Sequence, residues 1–128
     1  MEPAAVTRQR LETGRFGEEL VVKHLQQQGW RVIATNWRCR AGEIDIVAQE
    51  DDSLVFVEVR TRRSDSFGTP EESITPRKQA RLRRLGATYV QRSSWTGPWR
   101  IDVVAVRLHS GGRAPDITHY RHAVSGGD

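Results

Sequence analysis

A run of four small apolar residues, Val103-Val104-Ala105-Val106, constrains this chain more than any other stretch. A half-buried strand alternates apolar and polar residues, because successive side chains point to opposite faces. A strand that is apolar at every position must instead be covered on both faces. Arg100 to Leu108 therefore reads as an interior strand, with further layers above and below its sheet. Two helical stretches can supply those layers. One runs from about Arg15 to Gln28, ends at Gly29, and buries a stripe of Leu20, Val21, Val22 and Leu25. The other starts at Thr75-Pro76, with Thr as N-cap and Pro in the first helical position, and runs to about Gln91.

Three strands lie between the helices. From Trp30 to Trp37, the residues Trp30, Val32 and Ala34 alternate with Arg31, Ile33 and Thr35. The chain turns over Arg38 to Gly42. Residues 43–49 and 54–61 then form a hairpin about Glu50-Asp51-Asp52-Ser53. Thr61 to Thr75 is a loop rich in Ser, Gly and Pro, including Phe67-Gly68-Thr69-Pro70, and is long enough to cover a substrate groove. Ser93 to Pro98 turns again, residues 110–116 are rich in Gly and Pro, and Thr118 to Val124 is expected as an edge strand. Three consecutive strands favour an antiparallel meander, and a helix before the fourth allows a crossover to a parallel neighbour. The expected fold is α/β: a mixed central sheet flanked by helices.

A chain of 128 residues, 37% hydrophobic and 28% charged, fits one domain with one core. Residues 1–12 are expected as a flexible N-terminal segment, 13–108 as the domain, and 109–128 as an extension carrying the edge strand. No apolar run approaches the ~20 residues of a membrane helix, so no membrane association is expected. Met1 to Val6 shows neither the basic nor the apolar region of a secretory signal. Cys39 is the only cysteine, which excludes an internal disulfide and suits a reducing cytoplasm; a small residue at a strand end accounts for it. His24, His109, His119 and His122 show no zinc-like spacing with it. The net charge of +4 permits a polyanionic partner without demanding one.

The hairpin carries the chemistry. Gly42-Glu43-Ile44-Asp45-Ile46-Val47 and Phe56-Val57-Glu58-Val59-Arg60 are apolar runs interrupted by carboxylates at alternate positions. Alternation puts Glu43 with Asp45, and Glu58 with Arg60, while Ile44 and Ile46 point the other way. If the acidic faces coincide, Asp45 lies beside Glu58 at the edge of a core. Like carboxylates held together cost free energy unless a cation or a shared proton relieves them. Glu18 shares a helical stripe with Val21, Val22 and Leu25, where it either bends to solvent or becomes a third metal-directed carboxylate. Mg²⁺ prefers oxygen ligands, commonly one or two carboxylates together with phosphate.

The spacing of Gly17-Glu18, Asn36-Trp37-Arg38, Gly42-Glu43-Ile44-Asp45, Phe56-Val57-Glu58-Val59 and Lys78 resembles the YraN family of small bacterial proteins. That family is grouped with the Holliday-junction-resolvase-like members of the restriction-endonuclease-like, or PD-(D/E)XK, superfamily. The resemblance spans about Gly14 to Val106. It implies an αβββαβ core and Mg²⁺- or Mn²⁺-dependent cleavage of phosphodiesters in DNA, branched DNA included, with a place in repair or recombination. Asp45 matches the metal-binding aspartate, Glu58 the acid of the E-x-K element, and Glu18 the helix-borne glutamate of resolvase-type enzymes. Resolvase-like enzymes cut two strands as symmetric dimers, so the resemblance also points to a homodimer, although no stretch of sequence marks a dimer surface.

Arg60 departs from the superfamily, which has a lysine two residues after the glutamate. A guanidinium binds phosphate well but does not readily lose a proton. Only two of the 20 basic residues are lysine, Lys23 and Lys78. Lys78 lies four residues before Leu82 and seven before Leu85, so it either reaches toward Glu58 in place of the missing lysine or snorkels to solvent. Arg77, Arg81 and Arg84 form a basic ridge with Arg83 beside them, and Arg60, Arg62 and Arg63 crowd the end of a strand. These fit either a phosphate backbone or a solvated face. Trp37 is core or, alternatively, a stacking platform for an unpaired base. Asp102 beside Arg100 is read as a local cap or ion pair. Three functions stay open: a metal-dependent endonuclease, an inactive endonuclease-like module that binds DNA or a repair protein, and a structural partner whose acid pair is neutralised by Arg60 and Arg62.

Overall fold

The computed structural model describes residues 4–63 and 74–124, with side chains from Glu12 onward. Seven elements follow in order: α1 (Ala4–Gln27), β1 (Arg31–Cys39), β2 (Gly42–Glu50), β3 (Ser53–Arg63), α2 (Pro76–Ser93), β4 (Trp99–Leu108) and β5 (Asp116–Tyr120). The strands form one mixed sheet in the order β1-β2-β3-β4-β5. β1, β2 and β3 are an antiparallel meander, β4 lies parallel to β3 after the α2 crossover, and β5 runs antiparallel to β4 at the edge. This is the expected α/β architecture, compatible with a restriction-endonuclease-like core.

The helix ends follow from local chemistry. Thr75 caps α2: its Oγ1 accepts the Lys78 amide at 3.2 Å, and Pro76 opens the first turn. α1 closes where the Trp30 amide reaches the Leu25 carbonyl at 3.0 Å, with Gly29 at a φ of 91° that suits glycine. α1 begins at Ala4, well before the expected Arg15. Its first turns hold good helix formers without an apolar stripe, so periodicity could not mark them. The last strand is Asp116–Tyr120 rather than Thr118–Val124, and Val124 is buried beyond its end. The expected loop over a groove falls mostly outside the described residues.

The sheet carries a core on each face. On the α1 side, Val21, Leu25 and Trp30 pack with Ile46, Ala48, Val55, Val57, Val104 and Val106. On the α2 side, Leu82 and Leu85 pack with Ile44, Val47, Leu54, Phe56, Ile101 and Val124. Ile101 to Val106 is buried throughout, as its composition requires. Burial of this apolar surface is the main stabilising term, about 25 cal/mol per Å². Two regularities expected from alternation fail. β1 shifts register between Val32 and Ala34, so Val32 packs on the α1-side core, Ala34 on the α2-side core, and Ile33 is exposed. Ile44 and Ile46, two residues apart, lie in opposite cores. β2 therefore rotates between them, at Asp45.

Candidate active site

That rotation builds the site. The regular β2–β3 ladder stops at Ile46↔Val57. Beyond it, Asp45 Oδ2 accepts the Val59 amide at 2.8 Å. A side-chain oxygen thus replaces the carbonyl that a continuing strand would offer, and the Val59 N–H stays satisfied. Asp45 and Glu58 line a crevice with Ile44, Phe56, Val57, Leu82 and Ile101. Burial among these apolar walls and the charge of Glu58 push the Asp45 carboxyl up to about 8, although the Val59 amide pulls the other way. A hydrogen bond to Glu58 and the more distant Glu18 charge raise it further.

Glu43 does not join Asp45 as alternation suggested. Its carboxylate accepts from Asn36 Nδ2 at 2.9 Å and from Arg38 Nε at 2.8 Å. Glu18 Oε1 accepts from the same Asn36 Nδ2 at 3.0 Å. The expected trio is thus unequal: Asp45 and Glu58 meet directly, and Glu18 acts on Asp45 through its charge alone. Among the described residues, no three His, Cys, Asp or Glu side chains converge closely enough to hold one ion together. The crowded oxygens of Asp45 and Glu58 suit a hard divalent cation such as Mg²⁺ or Mn²⁺, which often takes two carboxylates and completes its shell with water or phosphate.

Arg60 Nη1 lies 3.3 Å from Glu58 Oε2 on the same face of β3. Lys78 stands close enough that Arg60 lowers its pKa, with burial adding to this, while Glu58 opposes it; Arg81 and Arg62 also lower it. Lys78 therefore sits at the margin of the site among cations. Arg62 does not pair with the acids: its Nη1 donates to the Thr61 carbonyl at 3.1 Å. Burial lowers the Arg62 pKa, followed by the charges of Arg60 and Arg107, the last of which faces it across the β3–β4 ladder. The sequence reading missed Arg107. Only the parallel register, which brings it level with Arg62, could have revealed it. Arg63, Arg77, Arg81 and Arg84 are exposed, and Arg83 is half-buried. Trp37 packs edge-on to Tyr89 at 5.1 Å in the α2-side core, which is the core reading. Cys39 ends β1 against the same core.

Gly17 is what lets α1 lie this close to β3. A Cβ at Gly17 would collide with the Thr61 hydroxyl. The absence of a side chain there brings the neighbouring Glu18 toward the sheet.

A second polar cluster fills the opposite end of the α1-side core. Asp102 is fully buried. Its carboxylate accepts from Arg100 Nε at 3.0 Å, His119 Nε2 at 2.8 Å and the His122 amide at 2.8 Å. Arg100 also reaches Glu50 at 2.7 Å, and Arg121 grips Glu50 with both terminal nitrogens at 2.7 and 2.9 Å. The Arg100 and Arg121 guanidiniums each lie 5.5 Å from the Trp30 ring centre. The expected Arg100–Asp102 ion pair is present. Its other members were not anticipated, because Glu50 ends β2 and Arg121 follows β5, far apart in the chain.

Fold and site together define a small α/β protein whose sheet opens between its second and third strands to bring two carboxylates into contact. The model of the uncharacterised protein family UPF0102 matches residues 17–106, and the chain belongs to that family. It is 45% identical to a UPF0102 protein of Mycolicibacterium vanbaalenii, covering 90% of this chain and 95% of the relative. It is 49% identical to one from Acidothermus cellulolyticus, covering 86% and 91%. A relative from Desulfitobacterium hafniense is 44% identical over 88% of this chain and 95% of its own. No helix among the described residues is long and apolar enough to cross a membrane.

Proposed function

We propose that the chain is a cytoplasmic, metal-dependent endonuclease that hydrolyses phosphodiesters in DNA, branched DNA included, and works as a homodimer. One observation carries the reading: Asp45 leaves the β2–β3 ladder to sit against Glu58, in a form strained by like charge. The Val59 hydrogen bond accounts for one Asp45 oxygen but not for burying the acid beside a second one, whereas a divalent cation would turn that repulsion into binding energy. Asp45 and Glu58 would hold Mg²⁺ or Mn²⁺, and Glu18 would add negative charge from α1. When bound, the ion polarises the phosphoryl group and lowers the pKa of a water at the site. Arg60 and Lys78 would stabilise charge on the phosphate as it becomes five-coordinate. Arg62, Arg63 and the exposed ridge Arg77, Arg81 and Arg84 would follow the phosphate backbone, giving affinity without sequence readout.

The Arg60–Glu58 pair at 3.3 Å favours a second reading. A guanidinium that partly neutralises Glu58 suits a module that binds DNA, or a DNA-repair partner, without cutting. Labelled branched, single-stranded and linear DNA incubated with Mg²⁺ or Mn²⁺ separates the two. Cleavage by wild type that is lost in Asp45→Asn supports the enzyme. Binding by both proteins with cleavage by neither supports the module.

A further inference from the structure

Asn36 has a left-handed backbone, with φ 51°. It lies within β1, where the backbone normally stays extended. Its neighbours pair as Thr35↔Ile46 and Trp37↔Ile44, which puts Asn36 directly opposite Asp45. The kink in β1 and the rotation of β2 are thus two sides of one distortion. At that point the Asn36 amide spans two carboxylates, donating to Glu18 Oε1 at 3.0 Å and Glu43 Oε1 at 2.9 Å. Arg38 holds the other oxygen of Glu43 at 2.8 Å. Glu18 and Asn36 also line a cavity of ≈ 490 Å³ between α1 and β1, so the bridge stands where solutes reach it.

We infer that Asn36 is the positioning residue of the site, fixing the Glu18 carboxylate through its side-chain amide at the point of β1 that faces Asp45. The inference rests on the metal-site reading above. The residue type follows from two demands that must be met together. The left-handed backbone favours Gly, Asn or Asp. The two carboxylates need a group with two N–H donors, which among these only Asn has. Asp would place a third negative charge between them. Glu18 Oε1 is taken by the amide, which leaves Oε2 to act toward a cation. Glu43 anchors the amide's second hydrogen, and Arg38 anchors Glu43. The chain Arg38–Glu43–Asn36–Glu18 therefore runs from the β1–β2 turn to α1 and holds an otherwise flexible glutamate in one place. Partners of this kind, one step removed from a metal, typically change its affinity 10–100-fold.

Asn36→Gly removes the amide while glycine still adopts the left-handed backbone. Mn²⁺ titration of the full chain, followed by electron paramagnetic resonance, is expected to show at least ~10-fold weaker binding in Asn36→Gly than in wild type at a temperature where circular dichroism shows both folded. The same substitution made in Glu18→Ala is expected to add nothing further, since the amide then has no glutamate to position. Wild-type affinity in Asn36→Gly, or a further loss in the double variant, overturns the positioning role while Asp45-dependent Mn²⁺ binding still stands. Absence of Asp45-dependent binding in wild type defeats the metal reading itself. A measurement on the wild-type chain needs no Asn36 variant to fold. The Asn36 side-chain amide resonances are expected to move when Mg²⁺ is added and to lose that response in Glu18→Ala. Resonances that stay fixed while Asp45 responds to Mg²⁺ overturn the inference.

Discussion

Asp45 Oδ2 receives the Val59 amide at 2.8 Å, closing the β2–β3 ladder with a carboxylate where a backbone carbonyl would otherwise stand. The strand pays for this by burying an acid among Ile44, Phe56 and Leu82, beside a second acid. A residue retained there at a stability cost has the character of a functional site.

The cost has a definite pH dependence. The Asp45 carboxyl is raised from 3.8 to about 8 in the folded protein, by burial first and then by Glu58. An acid with a raised folded pKa binds more protons folded than unfolded, so the fold loses stability as pH rises through that window. Asp45→Asn keeps an acceptor for Val59 and removes the titration. At pH 9 it is expected to be more stable than wild type by about 2–4 kcal/mol, a difference that fades toward pH 4. Urea melts across pH check this. In the same melts, Mg²⁺ is expected to stabilise wild type at pH 8 and leave Asp45→Asn unmoved.

Arg60 pairs with Glu58 at 3.3 Å, two residues further along the same face of β3. Lysine at that place is smaller and can lose its proton in a buried setting. Arg60→Lys is expected to cleave DNA at least as fast as wild type, and Arg60→Ala at least ~10-fold slower, about 1.4 kcal/mol of barrier. Lys78 feels the charges of both Arg60 and Glu58, so Lys78→Met is expected to slow cleavage as well. Single-turnover rates with bound DNA measure all three; equal rates in Lys78→Met and wild type would remove Lys78 from the site.

Gly17 sets the distance of α1 from β3. Alanine in a helix interior is favoured over glycine by about 1 kcal/mol. Here its Cβ would meet the hydroxyl and the Cβ of Thr61, the latter at 3.0 Å, on a β-branched side chain with little freedom to yield. Overpacking of this kind costs about 1–3 kcal/mol and outweighs the helix gain. Gly17→Ala is expected to lower the melting temperature by a few degrees and to weaken any contribution of Glu18, because the helix that carries it must shift. Thr61→Ala in the same chain is expected to recover part of the loss.

Features written in a few adjacent residues were legible before the structure. Thr75-Pro76 marks a helix start, Gly29 a helix end, and Val103 to Val106 a strand covered on both faces, and these suffice to order the meander and the crossover. Hairpin spacing allowed Asp45 to meet Glu58 if the acidic faces coincided, and they do meet. The manner of meeting was not legible. Alternation assigns Ile44 and Ile46 to one face, and only the irregularity shared by Asn36 and Asp45 sends them to opposite cores. Such a break is decided by what both cores must accept, which no short window contains. The same holds for Glu50 and Arg121, whose contact depends on the end of β2 and the turn after β5 meeting over Arg100 at the start of β4.

That convergence supplies the acid limb of stability. Glu50 is held down to about 2, first by the Arg121 hydrogen bonds and also by Arg100, against some burial. Burial raises Asp102, but His119, Arg100 and the His122 amide outweigh it and leave its carboxyl below the usual range. Acids with lowered folded pKa values stabilise the fold above their unfolded pKa, and that stability is lost as pH falls through the folded value. Unfolding between about pH 4.5 and 2 is therefore expected to track these two groups. Asp102→Asn removes the fully buried one of the two carboxylates that pair with half-buried Arg100, leaving Glu50 as the other, and should cost about 1.5–3 kcal/mol at pH 7. Glu50→Gln, whose carboxylate is partly open to solvent, should cost only ~1 kcal/mol. Acid titration followed by circular dichroism checks both: the Asp102→Asn transition is expected to begin at higher pH than that of wild type. A midpoint unchanged in both variants would show that the cluster does not govern acid unfolding.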